Sequence, residues 1–99
     1  MDIVYRLQGL EFEWDENKAV ANIQKHGVTF EEAAEIFLDP FYQTGDASAD
    51  DNEERDFIIG YTFSLRLLLA VYVERGVRTR IISARPAIRA ERKIYEEAN

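Results

Sequence analysis

Hydrophobic and polar positions alternate in short runs near both ends of the chain and fall into a helical rhythm between them. IVYRL (3–7) or LEFEW (10–14) reads as a first strand, with Gly9 as the break between the two. From Asp15 the period changes. Asp15 is a good N-cap residue, Glu16 suits the positive end of a helix dipole, and Lys25 and His26 suit the negative end. Gly27 fits the left-handed position that closes many helices, so a helix is predicted over 16–26, with Trp14 stapled onto Ala19. Thr29 and Glu32 form a T-x-x-E capping box for a second helix, in which Phe30, Ala33, Ala34, Phe37 and Phe41 keep helical spacing. Asp39–Pro40 stops it, because a residue before proline disfavours the helical region.

Beyond this helical hairpin, TGDASADDNEER (44–55) is polar and reads as a turn or loop. FIIGYT (57–62), LLLAVYVE (67–74) and TRIISA (79–84) are β-rich, and their separators FSLR and RGVR have hairpin length. They predict a three-stranded antiparallel meander, with 41–44 a candidate fourth strand. Pro86 suits the first position of a last helix over 86–97, whose Ala87, Ile88, Glu91, Ile94, Tyr95 and Ala98 bring an apolar stripe back onto the sheet. The order β-α-α-β-β-β-α predicts a two-layer α+β domain, single over residues 1–99.

Composition narrows the function classes. No cysteine is present, which excludes a disulfide framework and a thiolate site. The first residues lack a basic segment followed by a long apolar run, and the longest apolar run, LLLAVYV (67–73), is too short to span a bilayer. A cytoplasmic protein with no membrane partner is expected. Net charge is −7, unevenly spread: residues 1–73 sum to −10 and residues 74–99 to +3. An acidic surface repels phosphate backbones at long range, whereas a basic end can hold a few phosphates.

Few kinds of chemistry remain. Asp46, Ser48 and Asp50 mimic the opening of an EF-hand loop, but its glycine position holds Asp51 and its closing glutamate position holds Phe57. One histidine and no cysteine exclude the usual zinc frameworks, so no metal is expected. No GxGxxG or P-loop supports a nucleotide cofactor, and Ser48, Ser64 and Ser83 lack the context of a nucleophile elbow. What is left is His26 with Arg55, Arg75, Arg78, Arg80 and Arg85. On alternation, Arg78 and Arg80 face one side of their strand while Ile81 and Ser83 face the other. These arginines either pair with the many surface carboxylates or hold a phosphate. His26 is either a helix-end residue favoured by the dipole or a general acid or base.

Taken together, several stretches resemble the BrnT family of bacterial toxins. They are FEWDENKAVANIQKHGVTFEEAAEIFLDP, ER at 54–55, and RLLLAVYVERGVRTRIISARPAIRAERKIYEE. The match runs over roughly residues 12–97. F-x-W-D-x-x-K-A opens the first helix, N-x-x-K-H-G closes it, and R-I-I-S-A-R leads into a helix ending E-R-x-x-Y. The resemblance implies a RelE-like ribonuclease toxin of a type II toxin–antitoxin pair that inhibits translation without a metal or cofactor. It implies RNA as substrate and a BrnA-like antitoxin as partner, with DNA contacted only through the antitoxin. A homodimer and a toxin–antitoxin heterotetramer are both compatible assemblies. Matching positions place His26 as acid or base, Arg80 and Arg85 as phosphate stabilisers, and Lys25 and Arg55 as auxiliary cations. Pro86 and Ile88 stand where the family commonly has a basic residue and a threonine. The alternative is a non-catalytic binding module that regulates transcription through its antitoxin partner.

Overall fold

The structure is a computed structural model that describes residues 1–48 and 54–98. Both N-terminal runs are strands: β1 (Asp2–Leu7) and β2 (Leu10–Asp15) form a hairpin instead of offering one strand between them. The turn is tight because Gln8 and Gly9 both take positive φ, 49° and 87°. Helix α1 (Glu16–His26) is framed as its residues dictate. The Asp15 carboxylate accepts from the Lys18 amide at 3.0 Å, and Gly27 closes the helix with φ 68°.

Helix α2 (Phe30–Glu35) continues into a 3₁₀ turn, Ile36–Leu38, and stops at Asp39. Only half of the expected capping box forms. The Thr29 hydroxyl accepts from the Glu32 amide at 3.0 Å, but the Glu32 carboxylate turns away to Arg66 at 2.8 Å. Arg66, from the turn just ahead of residue 67, displaces a backbone N–H as the partner, since its hydrogen bond is charge-assisted.

The remaining strands are β3 (Gln43–Asp46), β4 (Asp56–Tyr61), β5 (Leu67–Arg75) and β6 (Arg78–Pro86). The start of the polar segment 44–55 therefore pairs as a strand, and residues 49–53, including Asp50 and Asp51 of the EF-hand-like pattern, lie outside the described residues. The last helix, α3 (Arg89–Glu97), begins three residues later than expected. Pro86 ends β6 opposite Leu68, where its ring satisfies extended backbone, and the Glu91 carboxylate accepts from the Ile88 amide at 2.9 Å to start the helix.

The six strands make one mixed sheet in the order β1-β2-β6-β5-β4-β3. The meander β4-β5-β6 is antiparallel as expected, but β2 joins β6 in parallel, so the sheet is not all antiparallel. The chain between β2 and β6, residues 16–77, passes through both helices to the far edge at β3 and returns through β4 and β5, which lets β6 arrive parallel to β2. Nor is the domain two-layered. One face of the sheet carries Phe12, Trp14, Ile58, Leu68, Tyr72 and Ile81 and packs under α1 and α2, with Phe30, Ala33 and Ile36 filling the layer. The opposite face carries Ile59, Leu67 and Leu69, which α3 covers with Tyr95. The stripe expected on α3 does not bury as a whole: Ile88 and Ile94 stay half exposed. Tyr95 alone is buried, its hydroxyl donating to Asp39 at 2.7 Å, and burial followed by that carboxylate pushes the phenol pKa up. Among the described residues no helix is long and apolar enough to cross a membrane.

Candidate functional site

The geometry of β6 decides where the arginines go. Tyr72 pairs with Ile81 and Val71 with Ser83, so Ile82 is an extra residue, a β-bulge. Before the bulge, Arg78 and Arg80 face away from α1. After it the alternation is reversed: Ala84 enters the α1 side while Ser83 and Arg85 turn to the α3 side. The expectation that Ser83 would share Ile81's face is thereby corrected. Arg80 and Arg85, of opposite parity in the sequence, share one face of the sheet.

Both guanidinium groups are occupied. Arg80 donates to Asp2 at 3.0 and 3.1 Å through its two terminal nitrogens and to Glu13 at 2.8 Å. These bonds raise the pKa of Arg80, Asp2 contributing most, and hold the Asp2 carboxyl below the usual range. Arg78 joins the same cluster through Glu11 at 3.1 Å. Arg85 makes a two-pronged pair with Glu91 at 2.8 and 2.7 Å, which raises its pKa and lowers that of Glu91. The two arginines are five residues apart on β6, about 15 Å along the strand, and point to different partners. They do not converge on a single point.

His26 lies at the end of the sheet where β6 finishes. The next carbonyl, Gly27, accepts from Arg66 at 3.4 Å, and Leu67 accepts from the Ala87 amide at 2.9 Å just past Pro86. The imidazole is half-buried and makes no hydrogen bond or ion pair among the described residues, with Arg80 or Arg85 or any other group. Lys25 beside it is exposed. Arg55 stands at the far side of β5: its amide donates to Ser48 at 3.0 Å, and the register puts it two strands, about 10 Å, from β6.

Two residues that hold this region together were not legible as such. The first is Asn22, buried on α1. Its amide nitrogen donates to Val28 O at 3.0 Å and Ala84 O at 2.8 Å, and its oxygen accepts from the Ala84 amide at 3.1 Å. It fills the place a neighbouring strand would take on β6 beyond the short β2 pairing. The motif N-x-x-K-H-G contains it, but nothing local marks a partner 62 positions away. The second is Arg66, which reads as a plain turn residue yet ties Glu32 and Gly27 to the start of β5. Among the described residues no group of three or more His, Asp or Glu side chains is placed to hold a metal ion.

Comparison with known proteins adds the family. No curated protein sequence matches the chain. A solved structure does: the ribonuclease toxin BrnT of Brucella abortus, 31% identical, superimposes with a TM-score of 0.62 over 77% of this chain and 94% of that one. The sequence profile of the ribonuclease toxin BrnT of type II toxin–antitoxin systems matches residues 14–91. Membership of that family implies an antitoxin partner and an RNA target. The chain belongs to the BrnT family of type II toxin–antitoxin ribonuclease toxins.

Proposed function

We propose that residues 1–99 form one toxin domain that cleaves RNA without a metal ion, inhibits translation in the cytoplasm and is neutralised by a BrnA-like antitoxin. In the reaction a base takes the proton of a 2′-hydroxyl, and that oxygen attacks the adjacent phosphorus. The bond to the 5′-oxygen breaks as an acid protonates the leaving group. Cations stabilise the charge that builds on the phosphoryl oxygens.

The placement of His26 supports this reading best. Its ring is half-buried, uncommitted among the described residues, and held at the end of the sheet where Arg85 leaves β6. His26 is the proposed acid or base. Arg85 and Arg80 are the proposed phosphate ligands on the sheet face opposite α1, with Arg85 at the same end of β6 as His26. The RNA therefore passes round the end of the sheet to meet both, and Lys25 and Arg55 are auxiliary cations. DNA is reached through the antitoxin, in a heterotetramer or from a toxin homodimer.

Cleavage of RNA by purified, antitoxin-free protein in excess EDTA tests the proposal. His26→Ala is expected to slow cleavage by about 10²–10⁴-fold with the circular dichroism spectrum unchanged, and Arg85→Ala to slow it as well. Undiminished cleavage by His26→Ala removes that assignment. The second reading, a binding module without catalysis, draws on the carboxylates that occupy Arg80 and Arg85 and on the net charge of −7. Cleavage by the wild-type protein, lost in these variants, eliminates it.

A further inference from the structure

Among the described residues, every carboxylate paired with Arg78 or Arg80 comes from the β1–β2 hairpin. The profile begins at residue 14, and the partners are Asp2, Glu11 and Glu13. Arg78, Arg80, Arg85 and the Glu91 that pairs with Arg85 all lie inside it. The β1–β2 hairpin lays these three acids along β6 because the parallel register sets Glu11 against Arg78 and Glu13 against Arg80, while Asp2 on β1 reaches over to Arg80. The hairpin is anchored from its other side: Ile3, Tyr5 and Leu7 pack on the core, and the Tyr5 ring meets Trp14 at 5.5 Å. Its acidic row is therefore held at a fixed height above the arginines.

We infer that the β1–β2 hairpin is an intramolecular competitor for RNA, its Asp2 and Glu13 carboxylates occupying the Arg80 guanidinium in place of a phosphodiester. The inference rests on the reading that Arg80 meets RNA phosphate. Chemistry favours such a stand-in. A carboxylate pair presents oxygens to the guanidinium fork as a phosphate does, and Asp2 grips both terminal nitrogens. The Arg80 side chain is only 16% exposed beneath these acids, whereas that of Asp2 is 55% exposed and open to exchange with solvent and ligand. Glu13, at 14%, is the fixed member of the pair and Asp2 the releasable one. Binding of RNA at this point requires Asp2 to let go, so the hairpin sets a threshold for it.

Binding of a fluorescent single-stranded RNA, followed by anisotropy across a salt series, tests this without requiring catalysis. Asp2→Asn, a surface change that leaves the fold intact, is expected to tighten binding by about two- to fivefold. It should also steepen the salt dependence by about one phosphate contact, roughly 0.7 in slope. In an Arg80→Gln background, or in Arg80→Met should that variant fold better, the Asp2→Asn gain should vanish. A gain that persists without Arg80 is a general charge effect and overturns the inference. So does unchanged RNA affinity in Asp2→Asn, and unchanged RNA affinity with tighter antitoxin binding hands Arg80 to the protein partner. Wild-type protein that fails to cleave RNA, while Asp2→Asn binds it more tightly through Arg80, removes the catalytic reading and leaves this one standing.

Discussion

Asn22→Ala is the substitution most informative about how the site is assembled. The Asn22 side chain is 6% exposed and makes three hydrogen bonds, of 2.8, 3.0 and 3.1 Å, to groups of Val28 and Ala84 that are fully buried. Truncation leaves the Ala84 amide and two carbonyls without partners. Each such loss costs about 1 kcal/mol or more, which sums to about 3 kcal/mol. Alanine returns about 0.5 kcal/mol as the better helix former. The expected net loss is about 2.5 kcal/mol, a large share of the stability of a domain this size. At about 4–8 °C per kcal/mol, the melting temperature should fall by about 10–20 °C. Urea denaturation followed by circular dichroism gives the free energy, and amide exchange at Ala84 reports the same event locally. Asn22→Asp sharpens the test. It keeps the acceptor for the Ala84 amide but turns a carboxylate oxygen towards two carbonyl oxygens. Burial and those dipoles raise its folded pKa, so its stability is present below the unfolded value of about 3.9 and lost as pH rises through the folded one. A loss under about 0.5 kcal/mol in Asn22→Ala, or unaltered exchange at Ala84, would refute the claim that this amide splices α1 to β6.

Two further outcomes follow from the same packing. Gly60→Ala should destabilise by about 2 kcal/mol, because an added Cβ would sit 2.9 Å from the Ile36 carbonyl oxygen, which is backbone and cannot move aside. Gly27→Ala, with open space around it but φ 68°, should lose only about 1 kcal/mol; thermal melts of the two variants rank them. The Glu91 carboxyl is held below its usual range, by Arg85 first and by the Ile88 amide as well. The stability it contributes is present above the unfolded value of about 4.3 and is lost as pH falls through the lowered folded value. Glu91→Gln should therefore be the less stable protein at pH 7 and lose that disadvantage below about pH 4, as read from urea titrations at the two pH values.

Local residues determined most of the elements. Asp15 and Gly27 frame α1 wherever α1 is packed, since a side-chain cap and a left-handed residue act within one turn. The runs 57–62, 67–74 and 79–84 became β4, β5 and β6 within a few residues at each end, and their short separators forced antiparallel neighbours. His26 and the arginines were readable as the chemistry-bearing groups. Their mutual placement was not. Pairing of β2 with β6 joins residues 67 positions apart, and no periodicity records such a partner. The Ile82 bulge, which a two-residue alternation rule cannot foresee, turned Arg85 onto the face of Arg80. Pro86 has the right dihedral angle for a helix start and for a strand end alike, and only the pairing with Leu68 settled which. The sequence by itself thus determined the segments and their caps, through interactions a few residues long. Tertiary structure decided which carboxylate each arginine meets, because that choice is made by register, bulge and sheet order.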